Sequence, residues 1–134
     1  MQVETVTLQI PEPLYQRLVN TARATGQSIE QVMLHALQVG SPPSYEDVPA
    51  EFQTELAALD QLDNNTLLQI ANNRKTTEEM ERYNILLERN QSNSLTDTEQ
   101  LELIKLRQEA DLFMLRRAQA AALLRWRGYN LTLS

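Results

Sequence analysis

The chain has no cysteine. That excludes a disulfide framework, a thiolate metal site and a cysteine nucleophile. Histidine occurs once, as His35, which leaves little for an imidazole metal site or a Ser-His-Asp arrangement. Aromatic residues make up only 5% of the chain. No apolar run approaches the roughly 18 residues needed to span a bilayer, and no basic, apolar leader opens the chain. A cytoplasmic protein is the expectation. Basic charge is also short: 12 Lys and Arg against 18 Asp and Glu give a net charge of −6. Bulk charge therefore does not hold this protein to nucleic acid or to an anionic membrane. These absences predict no enzyme, no cofactor and no metal.

What is present is a modest apolar content, 42% over 134 residues, sufficient for one small domain or a module with an appendage. The punctuation is uneven. The three glycines are Gly26, Gly40 and Gly128, and all five prolines fall between Pro11 and Pro49. Residues 4–10 alternate, with Val6, Leu8 and Ile10 on one side and Thr5, Thr7 and Gln9 on the other. Period two with β-branched residues predicts a strand ending at Pro11. Pro13 suits the first turn of a following helix, whose stripe is Leu14, Leu18 and Ala22, and Gly26 supplies its C-cap. Ser28 and Gln31 have capping-box spacing for a second helix that Gly40 closes.

Residues 41–49 read as a proline-rich linker. Beyond it the pattern is all helical, over about 50–59, 66–71, 77–89 and 97–127. Thr76 with Glu79, and Thr96 with Glu99, repeat the capping-box spacing. The last helix is roughly 45 Å long. Leu101, Ile104, Leu112, Leu115, Ala122 and Trp126 lie near one face, and Leu103, Leu106, Ala110, Phe113 and Leu124 widen it, so partners are expected on two sides of this helix. The short polar turn at 90–95 predicts an antiparallel hairpin with the helix before it.

A lone strand leaves half of its backbone groups unpaired, and a strand with two helices is too small to bury a core. Both facts predict an intertwined homodimer joined by a two-stranded ribbon. Residues 5–40, TVTLQIPEPLYQRLVNTARATGQSIEQVMLHALQVG, resemble the ribbon-helix-helix fold of bacterial repressors and antitoxins. The marks are the alternating strand ending in proline, the leucine-bearing first helix and the T-G-x-S turn at Thr25–Ser28. The whole chain also resembles a set of uncharacterised bacterial proteins with an R-A-x-A-x-x-L-L-x-x-R-G ending, here RAQAAALLRWRG at residues 117–128.

The ribbon-helix-helix resemblance implies a mainly α fold. Residues 1–40 form the dimerising, DNA-binding-like module, 41–49 a linker, and 50–134 a helical interaction domain with a long C-terminal hairpin. It implies that Thr5, Thr7 and Gln9 face the base edges. It also places Gln27, Ser28 and Ile29, at a helix N-terminus, against a phosphate. The family's basic ribbon residues are missing, and residues 1–40 hold two arginines against three glutamates. DNA binding is therefore expected to be weak.

Glu78, Glu79, Glu81 and Glu88 lack the histidines of a di-metal bundle and read as a solvated helix face. His35 reads as a surface or dimer-rim residue. Arg116, Arg117, Arg125 and Arg127, near Trp126 and Tyr129, suit either an anionic partner or a helix C-terminus. The acid is concentrated in residues 41–104, with 13 acidic and four basic side chains, whereas 105–134 hold six basic and two acidic. The leading expectation is a homodimeric, antitoxin-like regulator with a protein partner on its C-terminal helices. The alternative is a dimeric scaffold or adaptor that does not touch DNA.

Overall fold

A computed structural model describes residues 2–131. The fold is mainly α, with six α-helices among the described residues: α1 (Glu12–Thr25), α2 (Ile29–Val39), α3 (Ala50–Ala57), α4 (Asn64–Asn72), α5 (Thr77–Gln91) and α6 (Asp97–Trp126). A short 3-10 helix, Ala58–Gln61, extends α3. The helices divide between two compact units, Met1–Ser41 and Pro42–Ser134, each described by itself below.

The first unit holds α1 and α2, which pack on each other. Pro13 lies in the first turn of α1, where its missing N–H costs nothing. Gly26 ends the helix with φ +67°, a conformation that strains any residue carrying a Cβ. Ser28 then starts α2. Its hydroxyl accepts from the Gln31 N–H at 3.1 Å, and the Gln31 side chain accepts from the Ser28 N–H at 3.0 Å. Of this unit's described residues, only Ala22 and Val32 are buried.

The strand expected over residues 4–10 is absent. Residues 2–10 have no regular secondary structure, and no strand occurs among the described residues. The reason is physical: alternation marks a segment that suits a sheet, but a strand exists only by bonding to a second backbone. The described residues offer none, so Thr5, Thr7 and Gln9 are exposed along with Val6 and Leu8. A ribbon-helix-helix module requires that strand, and the resemblance is corrected accordingly: the unit is a helix pair preceded by an irregular segment.

The second unit is built around α6. Its C-terminal half packs on α4 and the 3-10 helix, and α3 and α5 also contact it. The core comprises Leu56, Leu59, Leu67, Ala71, Ala120, Ala121, Leu123 and Leu124. Tyr45 and Val48 pack against it from the proline-rich segment. That segment is also held by hydrogen bonds. Gln119 Nε2 donates to the Pro43 carbonyl at 3.0 Å, and Gln53 Nε2 to those of Glu46 at 3.2 Å and Val48 at 3.1 Å. The stretch read as a linker is thus partly docked on this unit.

Helices α5 and α6 form an antiparallel hairpin. Asn93, at φ +54°, turns the chain between them, a conformation that asparagine tolerates better than most residues. Arg82 forks onto Glu102 with two bonds of 2.9 Å, and Arg89 pairs with Glu99 nearer the turn. Both helices begin with complete capping boxes, Thr76 with Glu79 and Thr96 with Glu99. Each hairpin helix is buried sparsely along its paired stretch, at Leu86 in α5 and Leu103 in α6.

Only part of the wide apolar face expected on α6 is core. Leu101 is 70% exposed and Trp126 51%, whereas Leu103, Ala120, Ala121, Leu123 and Leu124 are buried. A 30-residue helix meets different neighbours along its length, so no single face is apolar throughout.

Candidate functional site

The basic C-terminal part of α6 is the most chemically differentiated surface of the second unit. Its four arginines, grouped together in the sequence, have separate roles in three dimensions. Arg127 is a structural clamp. Its Nη1 donates to the Leu62 carbonyl at 2.7 Å and to Asn64 Oδ1 at 3.1 Å, and Nη2 donates to the Asp60 carbonyl at 3.1 Å. These acceptors lie where the 3-10 helix ends and α4 begins, so one guanidinium satisfies carbonyls that the helix cannot. Arg116 is half-buried, with an Nε that has no hydrogen-bond partner.

Arg117 and Arg125 sit differently. Together with Met114, Ala118 and Ala121 of α6 and Ala71 of α4, they line a shallow open groove. Arg117 Nε donates weakly to the Ala71 carbonyl at 3.4 Å, and its guanidinium lies 6.0 Å from the Phe113 ring centroid. Lys75 Nζ lies over the same ring at 5.3 Å. Arg125 is exposed and makes no ion pair with any described residue. The arrangement can neutralise two carboxylates beside an apolar floor. It offers no nucleophile and no paired acid and base.

Electrostatics elsewhere in the unit are tied to helix starts. The Thr66 hydroxyl, then the Thr66 N–H, holds the Asp63 carboxyl below its usual range. The Thr96 N–H does the same for Glu99, aided by the Thr96 hydroxyl, Arg89 and Arg82. Arg82 lowers Glu102, and Glu102 in turn raises Arg82. These are structural carboxylates, each stabilised in its charged form.

The residues expected to contact DNA all lie in the first unit. Thr5, Thr7 and Gln9 are exposed in the irregular segment. At the start of α2, the Gln27 N–H donates to the Ala22 carbonyl at 3.0 Å and the Ser28 N–H to Gln31. Two of the three amides expected to face a phosphate are thus already donating. His35 is exposed. No group of three or more metal-ligating side chains occurs among the described residues, and no described helix is long and apolar enough to cross a membrane.

Sequence reasoning grouped the arginines by proximity along the chain. It missed the Arg127 clamp, whose acceptors are more than 60 residues away. It also missed Met114 and Ala71 as groove residues. Their only sequence signal was Met114 recurring seven residues before Ala121 on the same helical face. No known protein family, curated protein or solved structure matches this chain.

Proposed function

We propose that this protein is a homodimeric, non-catalytic adaptor: the first unit self-associates, and the second binds a protein partner through its helices. The observation that carries the first half is the apolar surface of the first unit. Val3, Val6, Leu8, Leu14, Tyr15, Leu34, Leu37 and Val39 are all exposed there, Leu8 at 65% and Leu37 at 60%. A unit of this size that buries two small or medium side chains lacks a core sufficient for independent stability.

A second copy is the occupant that supplies a matching apolar surface by symmetry. Covering these eight side chains contributes on the order of 10 kcal/mol per copy. The roughly 4–15 kcal/mol of freedom lost on association, together with ordering of the interface side chains, offsets part of this. The pairing invoked is between helix faces and apolar side chains. It assigns no role to DNA, for which the unit's two arginines, against three glutamates, give little attraction.

Equilibrium sedimentation of the full chain at micromolar concentration tests this reading. The expected result is a dimer that persists in high salt, and a Leu37→Glu variant that is monomeric while keeping the helical signal of the second unit. A folded wild-type monomer at that concentration refutes it.

A further inference from the structure

We infer that the α6 groove is a docking site for an acidic amphipathic helix of the partner protein; the inference rests on the reading that the second unit binds a protein. Three of the residues that line the groove are alanines, Ala71 and Ala121 buried and Ala118 exposed. Small side chains let another backbone approach closely. Met114, 61% exposed, stands at one end of the groove, and methionine adapts to varied apolar shapes at binding surfaces.

The charges select the ligand. Arg117 and Arg125 both line the groove, eight residues apart on one helix. That spacing is about 12 Å along the axis, close to two turns. A docked helix with carboxylates seven or eight residues apart presents them at the same interval. Arg125 has no carboxylate partner among the described residues. Arg117 spends one N–H on a 3.4 Å bond and keeps its other donors. Planar guanidinium groups pair with carboxylates through two parallel bonds. Residues 105–134 hold six basic and two acidic side chains while the chain as a whole is net acidic, so the selection for an acidic segment is local to the arginines of the groove.

The groove is lined only by residues of the second unit. Three other elements of the second unit select no ligand. The exposed apolar side of the α5–α6 hairpin, Met80, Ile85, Leu101 and Ile104, has nothing around it that identifies what covers it. The shallow pocket beside Phe52 and Lys105 carries both charge signs and selects no ligand. Arg116 Nε is unpartnered but belongs to no groove.

The test uses the full-length chain and synthetic helical peptides of about five turns. One peptide carries a leucine stripe with glutamates seven residues apart. A second has lysine for each glutamate, and a third is oligo-glutamate without leucine. Binding is read by anisotropy of a labelled peptide and by the fluorescence of Trp126, which follows Arg125 in the chain. The expected result is saturable binding of the glutamate-leucine peptide alone. It should weaken at least about tenfold in Arg125→Glu and in Arg117→Glu, with the circular dichroism of Arg125→Glu unchanged. Saturation by the lysine peptide instead would overturn the acidic assignment while keeping the second unit as a partner-binding element. Saturation by neither peptide overturns both. Equal binding of oligo-glutamate removes the apolar floor from the site. A drop in sedimentation mass for Arg125→Glu assigns the groove to a second copy and also overturns the inference.

Discussion

Removing the Arg127 side chain is expected to destabilise the second unit substantially without touching any apolar contact of its core. One guanidinium joins the end of α6 to Asp60, Leu62 and Asn64 by bonds of 3.1, 2.7 and 3.1 Å. The bond to the Leu62 carbonyl is partly buried, and its loss leaves an acceptor without its donor. A charged hydrogen bond of that kind contributes about 1.5–3 kcal/mol. The other two are exposed to water and add less, about 0.5 kcal/mol each. Arg127→Ala should therefore cost about 2.5–4 kcal/mol. For a unit of this size, that is a fall in Tm of roughly 10–25 °C. Thermal unfolding followed by circular dichroism measures it. Arg127→Lys retains the charge but cannot bridge three acceptors with a planar fork, so it should recover less than half of the loss. If Arg127→Ala shifts Tm by only about 2 °C, the clamp contributes little and the geometric reasoning fails.

Three further outcomes follow from the same geometry. Leu124→Ala, at a fully buried position in the core cluster, should cost about 3 kcal/mol in urea unfolding; a cost under about 1 kcal/mol would mean a loosely packed core. Thr96→Ala removes the hydroxyl that accepts from the Glu99 N–H at 3.2 Å and should cost about 1 kcal/mol, with faster hydrogen exchange confined to the first turn of α6. Asp63, Glu99 and Glu102 all have carboxyls held below their ordinary range. The stability they contribute is present above the unfolded carboxylate range, near pH 4, and is lost as pH falls through the lower folded values. Tm should be flat from pH 7 to about pH 5 and decline below it; a decline that begins above pH 6 would point to other groups.

Local structure was legible where the signal is local. The three capping boxes at Ser28, Thr76 and Thr96 form as their spacing indicates, because both partners lie within one turn. Gly26 adopts the left-handed conformation that its position between two helical stripes requires. The hairpin turn near Asn93 was likewise readable from a short polar stretch between two helical patterns. The alternating residues 4–10 were misread because alternation states a preference that only a neighbouring backbone can satisfy. Which part of the wide apolar face of α6 is core was not legible, because burial depends on which helix lies alongside. Leu103 is buried and Leu101 exposed although both are leucines two positions apart. Of the four arginines, no sequence rule distinguished the clamp at Arg127 from the groove residues Arg117 and Arg125.

By itself the sequence determined the helical class, the helix starts and the segregation of acid and base along the chain. These depend on interactions within a few residues or on composition, which no packing arrangement alters. Tertiary structure alone decided which arginine is structural and which faces a groove, which side of α6 is core, and whether an alternating segment becomes a strand. Each of those depends on groups brought together from distant parts of the chain. The shortest hydrogen bond from the Arg127 guanidinium goes to a carbonyl 65 residues away in sequence, and no local pattern encodes that distance.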